Sequence, residues 1–312
     1  MSNEHSWPKI VVVGAGAVGG YFGGMLARAG APVVLIGRPA FADTVNQHGL
    51  FLDTPQFQER VHAKASSDLG AVHGAEIVLF CVKTTDTAET ARAIKPLLAR
   101  EAIVVSLQNG ADNAERIRAA SGIEALPAVV YVAAAMPEPG RIKHFGRGDL
   151  VIGPDAESTR RVASLFERAS VPCKISENIS GELWTKLIWN CSLNALSALG
   201  RATYGEIVAS ADARKLVETT VFEVLAVAKA AGIQPPGLEN PRKALAGAFK
   251  IAEQMSATRS STAQDMARGK KTEIDSLNGY IAKRGEELGV PTPVNQALTA
   301  LVKLAETNFD RS

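Results

Sequence analysis

Lys186, Asn190 and Asn194 are spaced four residues apart in the mostly apolar stretch WTKLIWNCSLNAL. In an α-helix each of these positions is rotated by about 40° from the last, so the three side chains share one broad face. Burying an ammonium and two amides without partners costs several kcal/mol, so something polar must lie opposite them. The stripe alone is equally compatible with an internal hydrogen-bond network and with a ligand site.

A second polar region favours the ligand site. In SSTAQDMARGKKTEIDSLNGYI, Ser261 and Thr272 each precede an amide or acid by three positions, which is a helix-capping signal. We therefore predict two helices separated by a turn at residues 269–271. Ser261 and Glu273 would then lie at helix N-termini, where N–H groups attract an anion. Alternatively, Glu273 only complements the dipole of its own helix.

The first part of the chain has the pattern of a βαβ unit. A β-branched run at residues 9–13 leads into GAGAVGG, a helix over residues 17–29 and a second strand over residues 32–36. The glycines have the G-x-G-x-x-G spacing that brings backbone N–H groups to a pyrophosphate. We predict that this loop and first helical turn bind a dinucleotide through Gly14, Ala15, Gly16, Ala17, Val18 and Gly19.

The residue at the end of the second strand indicates which dinucleotide. NAD sites usually carry an acid about 20 residues beyond the glycines, where it accepts hydrogen bonds from the ribose hydroxyls. Here Arg38 occupies that position. A guanidinium pairs with a 2′-phosphate and offers the hydroxyls no acceptor, so the sequence favours NADP(H). A solvated surface arginine is the alternative.

Two further apolar strands, over residues 77–82 and 103–107, are each followed by a polar residue, Lys83 and Asn109. Ligands of open parallel sheets bind beyond the carboxyl ends of the strands, so both residues are expected beside the cofactor. A solvated lysine and a simple Asn-Gly turn are the alternatives.

These patterns predict an α/β protein with a Rossmann-type dinucleotide-binding domain over residues 1–178 and an all-helical domain over residues 179–312. Residues 50–62 read as a hairpin, and residues 127–175 as short strands around one helix, with 140–145 and 149–153 as separate strands. In the helical half, Ser180 is expected to cap the helix with the polar stripe, and Gly200 to end it.

Composition excludes several classes of function. The 34 basic and 32 acidic residues leave a net charge of +2, so nucleic acid is not an expected partner. The uncharged segment 10–27 is rich in glycine and is not expected to enter a membrane. The three cysteines, Cys81, Cys173 and Cys191, suggest neither disulfides nor a metal site, and we expect buried thiols in a reducing cytoplasm.

Taken together, these motifs resemble the ketopantoate reductases (2-dehydropantoate 2-reductases). The similarity spans nearly the whole chain and rests on GAGAVGG, VKT, QNG, WTKLIWNCSLNAL and TEIDSLNGY. It implies an NADPH-dependent reductase in which the cofactor and a small 2-oxo acid meet in the cleft between a Rossmann domain and a helical domain. By this resemblance, Lys186 is the general acid that protonates the ketone oxygen, and Glu273 binds the substrate hydroxyl and helps to hold the lysine.

The same resemblance assigns roles to the remaining polar residues. Three of them orient the substrate, the last at its carboxylate: Asn190, Asn194 and Ser261. Asn109 and Lys83 would lie near the nicotinamide and its ribose, and Asn109 would also bind the substrate. Many relatives have methionine after the double serine, whereas Thr262 follows here. The family includes enzymes acting on other 2-oxo acids, so a different 2-oxo acid stays open as the substrate, as does a non-catalytic NADP(H) sensor. The largely apolar C-terminal helices are compatible with a homodimer that forms through the helical domain.

Overall fold

A computed structural model describes residues 6–238 and 240–308. The chain divides into two compact units, Met1–Ile179 and Ser180–Ser312. None of the helices described is both long enough and apolar enough to cross a membrane.

The described part of the first unit contains ten strands in one sheet. In chain order they are β1 Ile10–Val13, β2 Val33–Ile36, β3 Leu50–Asp53, β4 Gln58–Val61, β5 Lys64–Ser66, β6 Ile77–Phe80, β7 Ile103–Ser106, β8 Ala125–Glu138, β9 Arg141–Ile152 and β10 Cys173–Ile175. Their spatial order is β4-β3-β9-β8-β7-β6-β1-β2-β5, and β10 pairs with β9. From β8 to β5 every neighbouring pair is parallel.

Helices cover both faces of this parallel sheet. They are α1 Ala17–Arg28, α2 Pro39–His48, α3 Thr87–Ile94, α4 Asn113–Ser121 and α5 Glu157–Arg168. On β1, Ile10 and Val12 pack into the core that contains α1 and α5, while Val11 and Val13 pack into the core that contains α3 and α4. Strands buried on both faces need continuous apolar runs, which β1 has. The predicted Rossmann-type α/β fold is confirmed.

The remaining strands extend the sheet beyond β8. The predicted hairpin is confirmed: β3 pairs antiparallel with β4, and the Phe57 N–H donates to Thr54 Oγ1 at the turn. The prediction of two separate strands over 140–145 and 149–153 was wrong, because β9 is a single strand of 12 residues. Gly146 and Gly148 interrupt the apolar pattern, but the pairing with β8 continues across irregularities in register.

The described part of the second unit is helical, as predicted. Its helices are α6 Ile179–Leu199, α7 Tyr204–Ala209, α8 Ala211–Ala230, α9 Pro241–Gln254, α10 Ser261–Ala267, α11 Asn278–Leu288 and α12 Pro293–Glu306. Ser180 lies inside the first turn of α6 and does not precede it, so the predicted cap was wrong. Gly200 follows the last residue of α6, as expected, and Arg201 takes the left-handed conformation, with φ 50°.

The two predicted capping signals in residues 260–281 are displaced in the structure. The cap of α10 is Ser260, whose Oγ accepts from the Ala263 N–H at 3.0 Å, and Ser261 is the first helical residue. Glu273 precedes only a 3-10 turn, Ile274–Ser276, and α11 begins later, at Asn278. α10 ends before the predicted turn, where Gly269 takes the left-handed conformation, with φ 61°.

Candidate active site

The glycine loop between β1 and α1 has the geometry of a dinucleotide cradle. Gly14 has φ +93°, and a Cβ there would lie 2.6 Å from the Val82 nitrogen, so only glycine fits this turn. A Cβ on Gly19 would lie 2.6 Å from the Gly14 oxygen and 2.8 Å from Val12 Cγ1. The close packing of α1 on β1 therefore requires this glycine too.

Gly16 has a different reason to be glycine. A Cβ at this position would have nothing within 4 Å. Gly16 is the N-cap of α1, and no side chain caps the helix. The first intrahelical bond is donated by the Gly20 N–H to the Gly16 oxygen, so the N–H groups of Ala17 and Val18 precede the helical ladder. Open space beside an uncapped helix N-terminus fits an approaching pyrophosphate.

The other predicted cofactor residues lie along the same edge of the sheet. Arg38 is exposed and precedes α2, after the end of β2. Lys83 is exposed beyond the end of β6, and Asn109 is half-buried beyond the end of β7. Because β2, β1, β6 and β7 are consecutive parallel neighbours, their carboxyl ends bring Arg38, the glycine loop, Lys83 and Asn109 to one edge of the first unit.

A buried glutamine, which the sequence analysis did not single out, joins two of these strand ends. Gln108 Nε2 donates to the Val82 oxygen at 3.0 Å and to Thr87 Oγ1 at 2.7 Å, while Oε1 accepts from Ser106 Oγ at 3.0 Å. The segments that follow β6 and β7 are thereby held together. The signal that could have revealed it is an amide directly after an apolar strand, where a buried polar group needs partners.

The turn that carries Asn109 is also anchored. Asn113 Nδ2 donates to the Asn109 main-chain oxygen at 2.6 Å. Burial raises the pKa of Asp112, although the Arg116 guanidinium, 2.5 Å from the carboxylate, acts in the opposite direction. In the described part of the chain, Oδ1 of Asp112 and Oδ1 of Asn113 are buried without a hydrogen-bond partner. The Asn113 side chain therefore holds this turn through a main-chain oxygen, and two side-chain acceptors of the turn remain unpaired.

In the second unit, α6 presents the polar stripe. Lys186 and Asn190 are half-buried, and Asn194 is buried. Asn194 Oδ1 accepts from the Tyr204 hydroxyl at 2.8 Å, so an internal hydrogen bond accounts for this end of its amide. Of the two alternatives that the sequence left open, the internal hydrogen-bond network is therefore present at Asn194.

Ser260 attaches the start of α10 to α6. Its Oγ donates to the Asn194 main-chain oxygen at 3.0 Å, and its N–H donates to Ser197 Oγ at 3.1 Å. Ser261, next to this anchor, is exposed. Glu273 is half-buried, and its neighbour Ile274 packs in the same apolar cluster as Ala195 of α6. The structure therefore connects the segments of Ser261 and Glu273 to the second half of α6.

The three cysteines form no disulfide with one another. All three are free thiols. Cys191 and Cys173 are buried, as predicted, whereas Cys81 is only half-buried. Burial raises the pKa of Cys191 and raises that of Cys173 to about 12, so both stay protonated and are poor nucleophiles near neutral pH.

A Rossmann-type unit with this glycine loop, followed by a helical unit, is the architecture of a nicotinamide-dinucleotide-dependent oxidoreductase. The family model described as "Ketopantoate reductase PanE/ApbA" matches residues 10–157, and "Ketopantoate reductase PanE/ApbA C terminal" matches residues 178–306. The chain is 31% identical over 303 residues to the 2-dehydropantoate 2-reductase of Pyrococcus horikoshii, covering 96% of this chain and 98% of the relative. It belongs to the ketopantoate reductase family and is an oxidoreductase of the 2-dehydropantoate 2-reductase type.

Solved structures agree with this assignment. The PanE/ApbA family ketopantoate reductase from Ralstonia eutropha JMP134 is 47% identical, with a TM-score of 0.92, and the match covers 97% of this chain and 99% of that one. A D-mandelate dehydrogenase solved with NADH and anilino(oxo)acetate is 24% identical, with a TM-score of 0.88 and the same coverage, and shows the shared fold.

Proposed function

We propose that this protein reduces 2-dehydropantoate (ketopantoate) to (R)-pantoate with NADPH as the hydride donor. The observation that carries the proposal is the full-length relationship to 2-dehydropantoate 2-reductases in a chain whose glycine loop has open space at Gly16. We assign the cofactor to residues 1–178 and the substrate-binding and proton-donating groups to residues 179–312.

Arg38 supports NADPH over NADH. It is an exposed guanidinium after β2, at the position where NAD sites usually place a carboxylate. A 2′-phosphate would accept charge-assisted hydrogen bonds from it, whereas a ribose diol would find no acceptor. The N–H groups of residues 15–19 would hold the pyrophosphate, and Lys83 and Asn109 would contact the ribose and nicotinamide. When bound, the reduced nicotinamide supplies a hydride to the carbonyl carbon.

Lys186 would complete the reaction as the general acid. As the hydride reaches the carbonyl carbon, an Nζ proton passes to the ketone oxygen, which becomes the product hydroxyl, and the neutral amine then takes a proton from water. Glu273 would accept a hydrogen bond from the substrate hydroxyl and hold the ammonium in place. Asn190, Asn194 and Ser261 would orient the substrate, Ser261 at its carboxylate.

We also propose a cytoplasmic homodimer. Free thiols suit a reducing compartment.

The dimer would form through the second unit, where Leu301 and Leu304, one helical turn apart on α12, are 50% and 61% exposed. Light scattering coupled to gel filtration tests this, since a monomer mass at micromolar concentration would contradict it.

A panel of 2-oxo acids tests the proposed activity. Purified protein is incubated with NADPH or NADH and ketopantoate, pyruvate, 2-oxoisovalerate or phenylglyoxylate, and loss of reduced cofactor is followed. We expect the highest kcat/KM with ketopantoate and NADPH. A higher kcat/KM for another acid would identify that acid as the preferred substrate in place of ketopantoate. The panel is needed because Thr262 stands where many relatives have methionine. NADPH binding without turnover of any acid would favour a sensor.

A further inference from the structure

Tyr204 and Asn194 form a buried polar pair in the second unit. Tyr204 is the first residue of α7, ten positions after Asn194 on α6. Its hydroxyl lies 2.8 Å from Asn194 Oδ1, and the two residues are only 8% and 4% exposed. A hydrogen bond between buried neutral groups restricts both side chains, because breaking it would leave each polar group unsatisfied.

The pair determines which end of the Asn194 amide faces away from Tyr204. A phenol has one proton to donate, and burial raises the pKa of Tyr204, so the proton is retained. Within the part of the chain that the structure describes, Asn194 Oδ1 is the acceptor available to that proton. The reverse amide orientation would leave the phenol proton without an acceptor, so the oxygen faces Tyr204 and the NH₂ group is directed elsewhere.

The backbone around Tyr204 is fixed independently of this bond. Thr203 and Glu206 form a capping box at the start of α7. The Tyr204 N–H donates to the Thr258 oxygen at 2.9 Å, and the Gly205 N–H donates to the Ser256 oxygen at 2.9 Å. These bonds hold the main chain of Tyr204 in one position, so its hydroxyl can orient the Asn194 amide.

The amide nitrogen has a different environment from the oxygen. Among residues 6–238 and 240–308, no acceptor is bonded to Asn194 Nδ2. Nδ2 is not one of the buried side-chain atoms that lack a partner, so water reaches it in the free protein and a ligand oxygen can take the place of that water. The main-chain oxygen of Asn194 is already bonded to Ser260, whose neighbour Ser261 is the expected carboxylate contact.

We propose that Tyr204 is a positioning residue that fixes the Asn194 amide so that Nδ2 donates to an oxygen of the bound 2-oxo acid. This inference rests on the proposed function. It assigns substrate recognition to a residue outside the motifs WTKLIWNCSLNAL and TEIDSLNGY. It also specifies the chemistry: the group that meets Asn194 must be an acceptor, such as a carboxylate or ketone oxygen.

The first test removes only the phenol oxygen. Tyr204→Phe should raise KM for ketopantoate about two- to tenfold, the effect of one hydrogen bond, with kcat within twofold and NADPH affinity unchanged. The matched control is Thr220→Val, which removes another buried hydroxyl, one that donates to the Leu216 oxygen at 2.7 Å. The control should lower thermal stability comparably and leave KM unchanged. An unchanged KM in Tyr204→Phe would overturn the proposal.

A double-mutant cycle distinguishes positioning from a direct contact. If Tyr204 acts through Asn194, Tyr204→Phe should have no further effect on KM in an Asn194→Ala background. Removing both partners also avoids leaving one unsatisfied, so the double variant should fold at least as well as Asn194→Ala. A full additional rise in KM in the double variant would overturn the proposal.

A measurement without substrate separates this inference from the proposed function. The side-chain NH₂ signals of Asn194 in ¹⁵N-labelled protein are identified by their loss in Asn194→Ala. In Tyr204→Phe they should shift or split as the amide loses its single orientation, whereas identical signals would overturn the positioning role. If the wild type reduces no 2-oxo acid, the proposed function fails, and this NMR result still decides whether Tyr204 orients the amide.

Discussion

Two glycine-to-alanine substitutions in the same loop should have different effects. Gly16→Ala should weaken cofactor binding and leave stability nearly unchanged, whereas Gly19→Ala should lower stability. A Cβ on Gly16 meets nothing within 4 Å in the protein, and its backbone, with φ −79°, suits alanine. Gly16→Ala should therefore change the free energy of unfolding by less than about 1 kcal/mol. The same methyl would occupy the space through which a pyrophosphate reaches the helix N-terminus.

The expected loss of binding follows from the bonds that the methyl would displace. Losing one charge-assisted N–H bond to phosphate costs about 1.5–3 kcal/mol, which corresponds to a roughly ten- to 150-fold weaker Kd for NADPH. Gly19→Ala, in contrast, places its methyl 2.6 Å from the Gly14 oxygen. Such overpacking costs about 1–3 kcal/mol, or about 2–12 °C in Tm for a unit of this size.

The assay is titration calorimetry for Kd combined with thermal denaturation for Tm. Gly247→Ala on α9 is the control, because its Cβ would come no closer than 3.8 Å to Trp189 Nε1. It should raise stability by about 0.4–1 kcal/mol and leave NADPH binding unchanged. NADPH affinity within twofold of wild type in Gly16→Ala would refute the assignment of the pyrophosphate to this loop.

Three further substitutions test the proposed roles of single side chains. Lys186→Ala should lower kcat about 100- to 10,000-fold, because it removes the general acid, and should leave the Kd for NADPH unchanged. Near-normal turnover of this variant in stopped-flow assays would exclude the role of general acid. Arg38→Ala should weaken NADPH binding about tenfold or more and leave NADH binding unchanged; equal losses for both cofactors, measured by calorimetry, would contradict the 2′-phosphate assignment. Glu273→Ala should raise KM more for hydroxylated than for unhydroxylated 2-oxo acids, and equal increases would argue against a contact with the hydroxyl.

The first unit was predictable because its signals are local. β1, the glycine loop and α1 lie within some twenty consecutive residues, and the glycine spacing, the apolar run and the helix reinforce one another. The positions of Arg38, Lys83 and Asn109 followed from one rule about the carboxyl ends of parallel strands. Local patterns suffice where neighbouring residues determine the conformation.

The ends of helices in the second unit were less predictable because distant residues decide them. Ser260 and Ser261 are equally good caps by residue type. Ser260 is the cap in the structure, and it also bonds Asn194 and Ser197, more than 60 positions away. Thr272 does not start a regular helix, because its N–H and Oγ both bond Glu306 Oε1. Neither contact leaves a trace in the adjacent sequence.

Long strands posed a related problem. Gly146 and Gly148 look like a break between two strands, yet β9 runs through both. A Cβ on Gly148 would collide with the Tyr21 hydroxyl of α1, so glycine is needed there to let the helix approach the strand. The sequence marks the glycine, but only the packing of α1 gives its reason.

The buried amide of Gln108 limits which segments of the first unit can be exchanged for those of a relative. One side chain bonds both the Val82 oxygen after β6 and Thr87 at the start of α3, while its own chain position is after β7. A chimaera that imports the Lys83 segment from a relative must therefore bring a compatible partner for Gln108, or it will bury an unsatisfied amide. In protein engineering, the segments around Lys83 and Asn109 should therefore be exchanged together.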